Sequence, residues 1–149
     1  IIKSVIKSNN KRKITLTKRI DKILKNRLKN KSITFLGVTF KPNTDDMREA
    51  SSIPMINYLN KKGSKIRYYD PSGRKMEFDK LKNVKFCNSI SSACIKSDLI
   101  IIQTEWNAFK LLDFKRLVKK KNFKVFDMRN IYSQDKMRDL KIDYTSIGR

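Results

Sequence analysis

Residues 33 to 38, Ile33-Thr34-Phe35-Leu36-Gly37-Val38, form a short apolar run rich in β-branched and aromatic side chains. That is the composition of a strand buried on both faces of a parallel sheet. The polarity then changes abruptly, through Thr39, Phe40 and Lys41 to Pro42-Asn43-Thr44-Asp45-Asp46-Met47-Arg48-Glu49. A buried strand that empties into such a loop delivers polar side chains to the carboxyl edge of a sheet, where open α/β folds bind their ligands. The remaining segments can be read as support for that edge.

The downstream sequence repeats the pattern. Ser51 or Ser52 can cap a helix that tolerates Pro54 in its first turn and closes at Gly63. Lys65–Tyr69 reads as a second strand, followed by the turn sequence Asp70-Pro71-Ser72-Gly73. Val84–Phe86 is a third strand, Ser89–Lys96 a short helix and Leu99–Gln103 the most apolar strand of all. Phe114–Lys120 is helical, Lys124–Phe126 is the next strand and Asp143–Ile147 the last. Strands alternating with helices in this way predict an α/β, Rossmann-like, doubly wound and mainly parallel sheet. Ahead of it, Ile14, Leu16, Ile20, Ile23, Leu24 and Leu28 recur at helical spacing among lysines and arginines, predicting an N-terminal helix from about Asn10 to Leu28. With one acid among twelve basic residues in 1–31, that helix is suited to packing on a preceding segment or a partner chain. The chain begins with Ile1 rather than Met, so a piece of a longer polypeptide is expected.

The net charge of +22 raises polynucleotides and anionic membranes as partners. Lysine, however, supplies 26 of the 36 basic residues, and Lys, Asn and Ile share A/T-rich codons. A biased genome and a small acidic ligand therefore account for the charge better than a nucleic-acid module does. The basic helix lacks the bulky aromatics of a membrane-surface helix, and no apolar stretch approaches a membrane span. There is no histidine, and Cys87 and Cys94 form no CxxC pair, which removes most zinc chemistry and any His-assisted nucleophile. Free buried thiols in a reducing cytoplasm are the expectation.

Three loops converge on the predicted edge: 40–49, 104–107 and 127–130. They offer Lys41, Arg48 and Arg129 as cations and Phe40 and Trp106 as apolar surfaces, a set suited to phosphate or diphosphate beside a helix N-terminus. Other roles stay open for each: Arg48 can pair with Asp45, Asp46 or Glu49, Arg129 with Asp127, and Trp106 can belong to the core. Asp45 and Asp46 are expected to cap the following helix rather than hold a metal. Gly37 stands alone, without the GxGxxG of a dinucleotide fingerprint.

Four motifs in order carry a family resemblance: Gly37 to Glu49, Tyr69-Asp70-Pro71, Thr104-Glu105-Trp106 followed by Phe109, and Asp127-Met128-Arg129-Asn130. Together they resemble the carboxy-terminal, UDP-binding domain of the UDP-glucose/GDP-mannose dehydrogenase family, with Thr-Glu-Trp in the form of the UDP-glucose branch. The resemblance implies an NAD-dependent oxidation of UDP-glucose to UDP-glucuronate in a cytoplasmic homodimer, with no nucleic-acid or membrane partner. Another nucleotide-sugar dehydrogenase, such as one for UDP-N-acetylmannosamine, is the alternative. It implies residues 1–30 as the end of a central, dimer-building helix and 31–149 as the UDP-sugar domain. It assigns Phe40, Lys41 and Arg129 to the substrate and Arg48 to the NAD diphosphate. No catalytic residue and no metal ligand is assigned, because the family's nucleophile and main NAD motifs lie outside these residues. The isolated piece is expected to be inactive. Met128 stands where the family usually has glycine.

Overall fold

Side chains alternate between two separate cores along every central strand, and this alternation sets the architecture. In the computed structural model, which describes residues 1–149, strand β1 (Ser32–Leu36) sends Ile33 and Phe35 to one face and Leu36 to the other. Strand β4 (Leu99–Ile102) sends Leu99 and Ile101 one way, Ile100 and Ile102 the other. The remaining strands are β2 (Lys65–Tyr69), β3 (Val84–Phe86), β5 (Lys124–Asp127) and β6 (Asp143–Ser146). All pairings are parallel, in the order β3-β2-β1-β4-β5-β6. The predicted doubly wound Rossmann-like sheet is therefore present, and it is entirely rather than mainly parallel.

Helices cover both faces, as a fully parallel sheet requires. Helices α1 (Ile2–Ile23) and α2 (Ser52–Lys61) lie over the larger core with Leu16, Ile20, Met55, Ile56 and Leu59. Helices α3 (Ile90–Cys94), α4 (Phe114–Val118) and α5 (Gln134–Asp139) cover the other, with Cys94, Phe114, Val118 and Met137. Helix α5 has no counterpart in the sequence reading, because one buried apolar residue, Met137, leaves no periodicity to detect.

Helix α1 begins and ends earlier than periodicity suggests. It starts at Ile2, and the chain leaves the helix after Ile23 through Lys25 and Asn26, both at positive φ. Leu24 and Leu28 remain buried although they are no longer helical. Burying four such side chains, with Leu16 and Ile20, is worth about 1.5–3 kcal/mol each, enough to fix the carboxyl half of α1 on the sheet. The amino half is not packed: Ile2, Val5 and Ile6 are exposed, as is Ile1 just ahead of it.

The topology reverses between β1 and β4, so the crevice at their carboxyl ends is the place an open α/β sheet binds ligands. The strands are closely opposed there. Gly37 lies at φ +77°, and a Cβ on it would fall 2.6 Å from Thr104 Cβ. No Cβ fits that approach, so the isolated glycine of the first motif has a structural cause.

Candidate functional site

Two buried carboxylates hold the loops at this edge. Asp70, at the end of β2, accepts from the N–H groups of Val38 and Thr39 at 2.8 and 3.3 Å. Its other oxygen accepts from the N–H and hydroxyl of Ser72 at 2.9 and 2.5 Å. The exit of β1 is thereby fixed just before Phe40 and Lys41. Thr104 adds a second tie, donating from its hydroxyl to Thr39 O at 2.8 Å. Asp127, at the end of β5, accepts from Arg129 N at 3.0 Å, from Tyr132 N at 3.1 Å and from the Tyr144 hydroxyl at 2.8 Å. Burial and the Asp127 carboxylate push the Tyr144 phenol up, so the neutral donor persists across the physiological range.

Arg129 is the most extensively placed of the candidate cations. Its Nε donates to Gln103 O at 2.9 Å, a terminal nitrogen reaches Phe40 O at 3.4 Å, and Nε lies 3.2 Å from Glu105 Oε2. The last contact is an ion pair without hydrogen-bond geometry, which leaves that buried carboxylate oxygen with no donor. Asp127 serves the backbone of Arg129, and the guanidinium pairs with Glu105 instead. The loop that holds it accepts Met128 without strain. Met128 has no positive φ, which falls on Asn130, and its side chain is buried in the larger core.

Phe40 and Arg129 meet on one cavity of about 250 Å³, together with Met128, Ile147, Ser51 and Glu49. Phe40 is half exposed, an apolar face available to a ligand. The structure brings together two of the three substrate candidates here. Lys41 is exposed on the same loop and does not line the cavity. Arg48 is also outside it, 90% exposed and paired with Asp46 at 3.0 Å. Hydrogen bonds from the Arg48 side chain and backbone hold the Asp46 carboxyl below its ordinary range.

The expected helix capping by Asp45 and Asp46 is not found. Asp46 accepts from Arg48 N at 2.9 Å and orders the loop instead. At the start of α2, Ser51 occupies the cap position without a side-chain cap; its hydroxyl accepts from Gln103 Nε2 at 2.7 Å. Ser52 is the buried one, donating to Val38 O at 2.6 Å. Tertiary partners captured both serines because the helix start abuts the strand exits. Trp106 belongs to the periphery of the second core. Cys94 is buried, and burial pushes its thiol up to about 12. No group of three His, Cys, Asp or Glu residues is disposed to hold a metal.

Sequence reasoning missed the contribution of helix α1. Asn9, Arg12, Lys13 and Leu16 line the same cavity, and Lys13 Nζ pairs with Glu49 Oε2 at 3.0 Å. The i, i+3, i+4, i+7 spacing of these four was a usable signal, since it puts them on one helix face.

The family described as "UDP-glucose/GDP-mannose dehydrogenase family, UDP binding domain" matches residues 34–134. The chain is 32% identical to a UDP-glucose 6-dehydrogenase of Rhizobium meliloti, over 100% of this chain and 34% of that protein. It is 38% identical to UDP-glucose 6-dehydrogenase YwqF of Bacillus subtilis, again over 100% of this chain and 34% of that one. Among solved structures, a UDP-glucose dehydrogenase from Pyrobaculum islandicum superposes with a TM-score of 0.73 at 24% identity, covering 96% of this chain and 31% of that one. The identity in that case supports a shared fold. The chain spans about a third of the length of the curated relatives it matches.

Proposed function

Because the chain belongs to the UDP-glucose/GDP-mannose dehydrogenase family, we propose that its carboxyl edge binds the UDP part of UDP-glucose for NAD-dependent oxidation to UDP-glucuronate. The observation that carries this reading is the convergence of Phe40, from the exit of β1, and Arg129, from the exit of β5, on one cavity at the carboxyl edge of the sheet. Phe40 offers an apolar surface to the base or sugar. Arg129 offers a fork of donors that neutralises phosphate and fixes its orientation. Lys41, exposed on the same loop as Phe40, adds a further positive charge. The contribution of such groups is to positioning, not to bond-making. Bond-making belongs to a part of the enzyme beyond these residues, so the isolated chain is expected to be inactive.

NAD supplies the hydride acceptor in this chemistry. The residues present do not form a complete site for it. There is no GxGxxG after β1, and the acid at the end of β2, which in dinucleotide folds accepts a ribose hydroxyl, is Asp70, committed to backbone and serine donors. Arg48, almost fully exposed, suits a different role: a cation reaching outward to a dinucleotide diphosphate held by another domain. On this reading residues 1–30 end a connecting helix that builds a homodimer, and 31–149 form the UDP-sugar domain. The exposed apolar residues along the amino half of α1 support that division. No helix is long and apolar enough to cross a membrane, and a cytoplasmic enzyme fits this reading.

Calorimetric titration of the chain with UDP, UDP-glucose, UDP-N-acetylmannosamine and GDP tests the proposal. UDP and UDP-glucose should bind, and Arg129→Ala should weaken both by about tenfold or more, the loss of a charge-assisted hydrogen-bond pair. Lys41→Ala should weaken them less. Equal affinity for GDP, or no effect of Arg129→Ala, would count against the assignment.

A further inference from the structure

Helix α1 supplies the cavity with a wall that no strand-exit loop provides, and that wall carries an arginine with no assigned role. Asn9, Arg12, Lys13 and Leu16 share one face and line the cavity together with Phe40, Met128 and Arg129. Leu16 is buried in the larger core, as are Ile20 one turn on and Leu24 and Leu28 beyond it. This packing holds the stretch from Arg12 to Leu16 against the sheet, so Arg12 projects about one turn, roughly 6 Å, from a fixed anchor.

The cations around the cavity differ in what they already hold. Lys13 is paired with Glu49, and Arg129 with Glu105 and two backbone carbonyls. Arg12 is exposed and takes part in none of the ion pairs. Three cations line this volume, offset by Glu49 on Lys13 and Glu105 on Arg129, so the unpaired charge left to attract an anion is that of Arg12. A free guanidinium with a planar fork of donors is the group best matched to a second phosphate.

We infer that Arg12 is the second arm of a diphosphate clamp, reaching from α1 toward a ligand whose other side is held by Arg129. The inference rests on the reading above that this cavity takes the UDP part of a sugar nucleotide. It adds that the site distinguishes a nucleoside diphosphate from a nucleoside, and that α1 is a wall of the ligand site as well as a connecting helix.

The test is calorimetric titration of UDP, UMP and uridine into the chain and into Arg12→Ala, Arg12→Lys, Lys11→Ala and Arg129→Ala. Lys11 is exposed, adjacent in sequence and absent from the cavity lining, so Lys11→Ala removes the same charge without the proposed contact. Arg12→Ala should weaken UDP about tenfold, the scale of a lost charge-assisted hydrogen bond. It should weaken UMP less, leave uridine unchanged and leave the melting temperature unchanged. Arg12→Lys should recover part of the affinity, and Lys11→Ala should stay within about twofold, the residue of screened long-range attraction. If Arg129→Ala loses UDP while Arg12→Ala keeps it, the clamp is wrong and the UDP reading stands. Equal losses in Lys11→Ala and Arg12→Ala would reduce the effect to general charge and overturn the clamp. Failure of the unmodified chain to bind UDP at all overturns both.

Discussion

The carboxylate of Asp70 lies 2.8 Å from the backbone N–H of Val38, joining the end of β2 to the exit of β1. Through this bond a residue that contributes nothing to the cavity lining fixes the segment that presents Phe40. Asp70→Asn keeps the size and loses the charge and one of its acceptor oxygens, leaving buried donors of Val38, Thr39 or Ser72 unmatched. Hydrogen bonds to a charged group are worth about 1.5–3 kcal/mol each. The variant should lose about 2 kcal/mol in urea unfolding, with a weaker affinity for UDP at temperatures where it remains folded. A native-like melting curve would remove Asp70 from this supporting role.

Gly37→Ala should be costly for two separable reasons. The residue sits at φ +77°, where an L side chain costs about 1–2 kcal/mol, and its new Cβ would overlap Thr104 Cβ at 2.6 Å. Thr104→Ser does not relieve the overlap, because the contact is with Cβ. The pair Gly37→Ala with Thr104→Gly removes the overlap and retains the φ strain. A double-mutant cycle in denaturant should therefore show a coupling above about 0.5 kcal/mol; strict additivity would contradict the close approach.

Asp98 anchors the opposite, amino edge of the sheet. One oxygen accepts from Ser32 N at 2.8 Å and the other from Lys120 Nζ at 2.5 Å. Burial pushes its carboxyl up, but the Lys120 and Ser32 hydrogen bonds outweigh burial and hold it below the ordinary value of 3.8. A carboxyl depressed in the folded state contributes stability that is complete above its unfolded pKa and is lost as pH falls through the folded one. Asp98→Asn should thus be less stable than the unmodified chain at pH 7, by about 1 kcal/mol for a partly exposed pair. The gap should close as pH falls below 3.8. A gap independent of pH would show that the charge of Asp98 is not what matters.

Both cysteines should be unreactive in the folded chain. Cys87 and Cys94 are buried, and burial pushes the Cys94 thiol up to about 12, leaving almost no thiolate at neutral pH. A thiol-specific chromogenic reagent should titrate two equivalents in denaturant and react only at the rate of unfolding without it. Rapid modification of the native chain would contradict this burial.

Much of the fold was legible because its signals are local. The β-branched run 33–38, the apolar strand Leu99–Gln103 and the turn at Asp70-Pro71 each declare themselves within a few residues. So did the polar exits with Phe40, Lys41, Arg48 and Arg129. Ser51, Ser52 and Asp46 were misread because their oxygens have competing partners. A local cap is one choice, and Gln103, Val38 or Arg48 proved the better-placed one.

The sequence by itself determined the alternation of strands and helices, the polar carboxyl edge and the set of cations available there. Residue type and spacing fix these, since periodicity and side-chain chemistry do not depend on distant contacts. Only the tertiary structure decided which cations share a cavity. Arg129 entered it because Asp127 and Gln103 hold its loop, whereas Lys41 and Arg48 were left facing outward. Arg12 joined Arg129 there from more than a hundred residues away in sequence, because burial of Leu16 and Ile20 lays α1 against the sheet. That juxtaposition depends on long-range packing, which no stretch of the chain encodes alone.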